Sequence, residues 1–323
     1  MTTRGNSSNF SNGFATNFTA IPASSAEFTA ITVTRFVLNT GVVLIMLKDR
    51  SLHSSFNVYV LVLLCGNILY AVVDGPLKIL TFATRWWLGN VACNVEVYCI
   101  QILASVILHT HVLISLNRLW ALFWPVSYRQ RHTTTVAWLI CLGMVVYVHV
   151  FQLPAVIIDA LYYRNLDRGC FFNRAAQKTW ATVQSVWFFH IPIFFVPACY
   201  PLLLWKQLSR RKTLKRTGPT TDVSSMRGSR NAASRRRTKG SRSFIVTSLF
   251  TLGFAVSWMP SDLYYILVDW MPMGQLETLR KVQTSMNPLL SLLDPIFFSL
   301  TMKHLQDFII RLWRKCTAWL KRF

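Results

Sequence analysis

Apolar residues in this chain gather into seven long blocks, at about 27–48, 56–82, 90–122, 134–158, 181–208, 241–268 and 278–302. A helix needs roughly 20 apolar residues to cross the hydrocarbon core of a bilayer, and every block meets that length. The pattern predicts an all-α membrane protein, a seven-transmembrane helix bundle over 27–302. The intervening stretches are of a different kind. Residues 1–26 are polar and residues 209–240, rich in Arg, Ser, Gly and Thr, read as a flexible loop. In 303–323, Leu, Ile, Phe and Trp alternate with basic residues, which suggests a short amphipathic helix lying on the membrane face. The first 25 residues carry no apolar core, so block one reads as a signal anchor rather than a cleavable signal peptide. The absence of an internal sequence repeat weighs against transporters built from inverted halves.

Composition agrees with the pattern, because 53% of the residues are hydrophobic, more than soluble domains of this length usually carry. The net charge of +22 would suit a nucleic-acid partner if it were spread over a soluble surface. Instead thirteen basic residues lie between Lys206 and Arg242 against one acid, Asp222, and another basic cluster follows Lys303. Loops after blocks one, three and five share a side with the tail, and positive charge marks that side as cytoplasmic. Asn6, Asn9 and Asn17 head Asn-x-Ser/Thr sequons on the other side, where glycosylation occurs. Membrane lipids are thus expected partners, nucleic acid is not, and the amino terminus is expected outside a multi-pass protein.

Candidate chemistry inside the blocks does not suit an enzyme. His109-x-His111 is the one tempting metal pair, and two residues apart on a helix the side chains diverge by about 200°. No metal, cofactor or catalytic set is expected. The prolines are more informative. Proline removes an intrahelical hydrogen bond, and a membrane helix tolerates it where neighbours or water satisfy the freed carbonyl. Pro192, Pro260 and Pro295 therefore mark deformable points, and Trp258 stands two residues before Pro260.

These residues belong to a wider set. Asn39; Leu52-His53 before Asn57-x-Tyr59; Trp86-x-x-Gly89-x-x-x-Cys93; Asn117-Arg118-Leu119 with Pro125 and Tyr128 beyond; Trp138; Pro192 with Tyr200; Phe254, Trp258 and Pro260; and Asp294-Pro295-x-x-Phe298 all occur in order and at matching spacings. From residue 39 to about 308 the chain resembles the rhodopsin-like family of G-protein-coupled receptors. The resemblance implies a plasma-membrane receptor for an extracellular ligand, with a heterotrimeric G protein as its partner. It implies a disulfide between Cys93 and Cys170, and an activation switch in Asn117, Arg118, Leu119, Tyr200, Phe254, Trp258, Pro260, Asp294, Pro295 and Phe298. Cys316, in the tail, is either a palmitoylation site or a free thiol.

Four departures from the family pattern bear on mechanism. The acid that usually precedes the third-helix arginine is Asn117, and Gly240, near where an acid of the sixth helix can hold that arginine in the family, offers no replacement, so raised ligand-independent signalling is expected. The second-helix acid is Asn67 while Asp294 stands where most members have Asn. The carboxylate has moved across a buried polar core of Asn39, Asn67, His111 and Asp294, and Ile107 and Leu290 make a conventional sodium site doubtful. His111 is either a partner of Asp294 and a pH-sensitive latch or a neutral histidine bonded elsewhere. Arg35, on the same face as Asn39, either pairs with Asp74 or extends towards the headgroups.

For the ligand, Ile100 stands where amine receptors carry aspartate, and Pro288 where opsins carry the retinal-linking lysine. A peptide, nucleotide or lipid-like ligand is favoured over a monoamine. Gln101, His190, Asp262 and Tyr265 are candidate ligand contacts, with Asp262 either facing a cationic ligand or pairing internally with His190 or Lys78. A seven-helix binding or scaffolding protein without G-protein coupling is the alternative.

Overall fold

The computed structural model describes residues 25–82, 86–166, 169–216, 248–267, 271 and 273–301, with isolated positions 306, 311, 314 and 317. Among them the chain is helical throughout, without strands. Helix α1 is Ser25–Lys48 and α2 is Ser55–Phe82. The third helix, α3, is continuous over Gly89–Phe123, and α4 over Thr134–Tyr163. Helix α5 runs from Lys178 through Ile191–Arg216, α6 covers 248–267, and α7 is Glu277–Thr301. Five stretches, Phe28–Lys48, Ser55–Lys78, Gly89–Phe123, Thr134–Tyr163 and Lys178–Ser209, are long and apolar enough to cross a membrane. With α6 and α7 they form a seven-helix bundle.

Helices suit this setting because every backbone group bonds within its own segment, where lipid offers no replacement. Aliphatic side chains such as Leu44, Val91 and Leu161 remain exposed on the outside of the bundle, facing where lipid belongs. Exposed Trp87, Tyr162 and Trp124 lie near helix ends, the place of amphipathic rings at a membrane interface. Local signals set the boundaries. Asp49 accepts from Ser51 N at 2.9 Å to start the 3-10 turn Arg50–Leu52. Asn57 Nδ2 donates to Leu52 O at 2.6 Å. Pro125 opens a short helix, Pro125–Arg131, and Thr133 caps α4 by accepting from Val136 N at 3.3 Å. We call this short helix and its neighbours the Arg118 end, and the opposite end, which holds Cys93, the disulfide end.

The loop expected over 209–240 begins later than its composition suggests, since α5 continues to Arg216. Lys, Arg and Leu are good helix formers, and Gly218-Pro219 is the first strong breaker. Residues 217–240, the sequons at Asn6, Asn9 and Asn17, and Cys316 lie outside the described residues.

Apolar packing falls into three groups. One joins α1, α2, α3 and α4 around Met46, Leu63 and Ile114, and reaches Phe250 and Phe298. A second surrounds the disulfide with Ile102, Val148 and Phe188. The third, Leu108, Ile193, Val196, Phe254 and Leu290, fills the middle against Trp258. Close approach is bought by glycine at one point in particular: a Cβ on Gly253 would lie 2.8 Å from Phe297 Cε2, so α6 and α7 touch there because no side chain intervenes.

Candidate functional site

In the middle of the bundle four helices meet at buried polar side chains. Asn67 Nδ2 donates to Asp294 Oδ2 at 3.0 Å and to Asn39 Oδ1 at 3.4 Å. Asn39 Nδ2 in turn donates to Ser291 O at 2.8 Å, tying α1 to α7. His111 Nε2 lies 3.6 Å from Asp294 Oδ2, and both side chains are wholly enclosed. The imidazole has no hydrogen-bond partner among the described residues; it lies between Phe250 and Phe254, with ring centroids 5.1 Å from each. A buried carboxylate is costly unless partnered; the Asn67 amide supplies a hydrogen bond to Asp294, with the His111 ring standing beside it. His109 points elsewhere, to Ser105 O at 2.8 Å and the rings of Tyr147 and Phe188. Among the described residues no three His, Cys, Asp or Glu side chains converge on a metal position.

At the Arg118 end, Asn117 and Arg118 face different ways. Asn117 Oδ1 accepts from Tyr128 OH at 3.0 Å, and its Nδ2 lies 2.8 Å from His132 Nε2. Tyr59 OH approaches the same His132 nitrogen at 3.0 Å. The imidazole stacks between Tyr59 and Tyr128, with Trp120 edge-on. Burial pushes the His132 imidazole below its ordinary range. The Tyr128 phenol is raised by burial, against the opposing effects of Arg118 and of bonds with Asn117 and Ser55. Arg118 stacks its guanidinium over the Phe56 ring, 3.9 Å from the centroid. It also lines a small cavity with Ile114, Ser115, Leu203, Phe250, Thr251 and Phe298. Leu119, the next residue of α3, is partly buried. Tyr200 OH and Ser248 Oγ are 2.8 Å apart, joining α5 to α6.

In the middle of the bundle Phe254 is fully buried below Trp258, and Pro260 lies within α6 directly before Ser261 and Asp262. Pro295 lies inside α7 directly after Asp294. His190 Nδ1 donates to Asp262 Oδ1, so the carboxylate is internally paired across α5 and α6. Gln184 Nε2 donates to Gln101 Oε1 at 2.8 Å and to Gln152 Oε1 at 2.9 Å, linking α3, α4 and α5. Cys93 and Cys170 are joined, with Cα atoms 5.5 Å apart. Beside that bond Asp159, fully buried, accepts from Arg164 Nε at 2.8 Å and from Asn173 N at 2.8 Å, while Arg164 Nη1 donates to Asn94 Oδ1 at 2.5 Å. The loop after α4 is thus stitched to the start of α3.

Two expected groupings are corrected. Asp74 makes its ion pair with Lys78 at 2.9 Å, because Lys78 is one turn along the same helix and its ammonium reaches without bridging a helix gap; Arg35 lies near enough to be attracted by the same carboxylate but makes no ion-pair contact with it. Buried Arg35 instead lies over the Tyr70 ring, 5.4 Å from the centroid. Tyr265 does not join Gln101, His190 and Asp262. It is 48% exposed and edge-on to Tyr264, on the outer face of α6. Phe56, His132, Gln152, Gln184 and the Asp159–Arg164 pair escaped the sequence reading. Asp159, directly after the uncharged block 134–158, is the one sequence signal that points to any of them.

With this geometry in place, comparison with known proteins is informative. The profile of the "7 transmembrane receptor (rhodopsin family)" matches residues 38–298. The chain belongs to that family. It is therefore a multi-pass membrane protein of a receptor family rather than an enzyme family. "Probable G-protein coupled receptor 19" of Homo sapiens is 25% identical over 244 residues, covering 73% of this receptor and 53% of its own length. "Trace amine-associated receptor 6" of Pan troglodytes is 25% identical, covering 69% of this chain and 65% of its own. "Lysophosphatidic acid receptor 6" of Homo sapiens is 26% identical, covering 59% and 57%. This receptor spans a little over half the length of the first of these relatives.

Proposed function

We propose that this chain is a plasma-membrane receptor, amino terminus outside and tail in the cytoplasm, that converts binding of an extracellular ligand into activation of a heterotrimeric G protein. The observation that carries the reading is the placement of Arg118. It closes the end of α3 beside a cavity bounded by α5, α6 and α7, where a partner segment would enter once α6 swings outward. Pro260 interrupts the backbone bonding of α6, and Trp258, two residues before it, packs on the central cluster. A ligand with higher affinity for the swung-out form shifts the population towards it. Tyr200 and Ser248, bonded in this form, separate as the helix moves.

The ligand meets the polar groups of the disulfide end: Gln101 with Gln184, and the His190–Asp262 pair, which a ligand opens or bridges. Tyr265 contributes only if the ligand or α6 turns its face inward. Ile100 disfavours a monoamine, although one relative is a trace amine receptor; another is a lysophosphatidic acid receptor, and peptide, nucleotide and lipid-like ligands remain the preferred classes. Glycans on Asn6, Asn9 and Asn17 and an acyl chain on Cys316 fit this orientation. With Asn117 in place of an acid, basal activity is raised.

The test expresses the full chain in cells and applies peptide, nucleotide and lipid libraries while reading G-protein activation. At least one class is expected to raise activation, and Arg118→Ala, at equal surface level, to abolish the rise. A ligand that binds and leaves every G protein inactive points instead to a binding or scaffolding protein.

A further inference from the structure

The loss of the neighbouring acid leaves open what holds Arg118. Among the described residues no carboxylate comes within ion-pair distance of it, and Asn117 is turned away, committed to Tyr128 and His132. What Arg118 does touch is Phe56, with the guanidinium carbon 3.9 Å from the ring centroid. That distance is well inside the range in which the negative face of an aromatic ring attracts a cation. Phe56 is a firm seat. It sits in the first turn of α2 and packs on the apolar group containing Val42, Met46 and Leu52, and the neighbouring Asn57 Nδ2 bonds back to Leu52 O.

We propose that Phe56 is the positioning residue for Arg118: its ring face holds the guanidinium on the α2 side of the cavity that it shares with α5, α6 and α7, in place of the missing carboxylate. The consequence for signalling rests on the G-protein reading above. A cation–ring contact shifts a two-state equilibrium by roughly two- to thirty-fold, weaker than a close buried charge pair. The receptor is therefore restrained, but less firmly than one with an acid beside its arginine.

A packing role and an electrostatic role separate when the ring keeps its shape and loses its negative face. Phe56 is replaced in the full chain by mono-, di- and trifluorinated phenylalanine, and by Leu and Trp in Phe56→Leu and Phe56→Trp. Each protein is purified into lipid nanodiscs. Two quantities are read without ligand: guanine-nucleotide exchange on a purified G-protein panel, and the spin-label distance between Val126→Cys and Leu249→Cys, in a background of Cys65→Ser and Cys316→Ser. Exchange is expected to climb with each fluorine, by about two- to ten-fold across the series, with Phe56→Leu highest and Phe56→Trp below wild type. The long-distance population of the labels is expected to rise in step. If the label distances follow the series while no protein drives exchange, Phe56 holds Arg118 and the G-protein reading fails. If the fluorinated proteins match wild type in label distances, the proposal is overturned, whether or not Phe56→Leu differs.

Discussion

His132 Nε2 stands 2.8 Å from Asn117 Nδ2, so the asparagine that replaces the usual acid anchors an imidazole of the adjoining loop. The groups around that imidazole are Tyr59 from α2, Asn117 and Trp120 from α3, and Tyr128 from the short helix. None of them is an acid that would welcome a proton. Burial lowers its pKa from the ordinary value of about 6.5. The folded chain then binds a proton less readily than the unfolded one. The stability is complete above about pH 6.5 and is lost as pH falls through the lower folded value.

Acidifying purified receptor from about pH 7.5 to 5.5 should therefore loosen the short helix. The hydrogen–deuterium exchange protection of 125–131, after correction for the slower intrinsic exchange at low pH, is expected to fall over that range in wild type and to stay nearly constant in His132→Phe. The same pH dependence in both proteins would remove His132 as the cause.

Asp159 and Arg164 form a close charged contact beside the disulfide, at 2.7 Å from Nη2 to Oδ2, with both side chains almost fully enclosed. Removing one member of such a pair leaves an uncompensated buried charge, costing on the order of 3 kcal/mol. Asp159→Ala and Arg164→Ala should each lower the melting temperature of detergent-solubilised receptor markedly, and the double variant should cost less than their sum. Additive losses would mean that the two residues act separately.

Asn67 is the one hydrogen-bond donor to the Asp294 carboxylate recorded among the described residues. Asn67→Ala leaves that acceptor buried with His111 alone and should destabilise by about 1–3 kcal/mol. Adding Asp294→Asn removes the charge and should recover part of the loss. Thermal unfolding of wild type and the two variants decides this, and no recovery in the double would show that the cost is one of packing.

The helices were legible because bilayer crossing imposes a long apolar run, and that signal needs no knowledge of neighbours. Asn39, Asn67, His111 and Asp294 were legible as a group because polar residues inside apolar runs must find one another. Contacts made by aromatic rings were not. Phe56 lies in an apolar block, where nothing in the sequence distinguishes a cation's seat from a packing residue. His132 lies in a loop whose partners come from two other helices. The Arg35 expectation failed for a related reason: helix periodicity gives the facing of a side chain, while Lys78 on the same helix as Asp74 took the carboxylate at shorter reach.

The central claim is that Arg118 drives G-protein activation from an incompletely restrained resting state. The direct measurement is ligand-free guanine-nucleotide exchange on a panel of purified G proteins, using wild type, Asn117→Asp and Arg118→Ala receptors in lipid vesicles. The account predicts exchange above empty vesicles for wild type, a several-fold fall for Asn117→Asp, and background for Arg118→Ala. Wild-type exchange no greater than that of empty vesicles with every G protein, or no greater than that of Asn117→Asp, would contradict it.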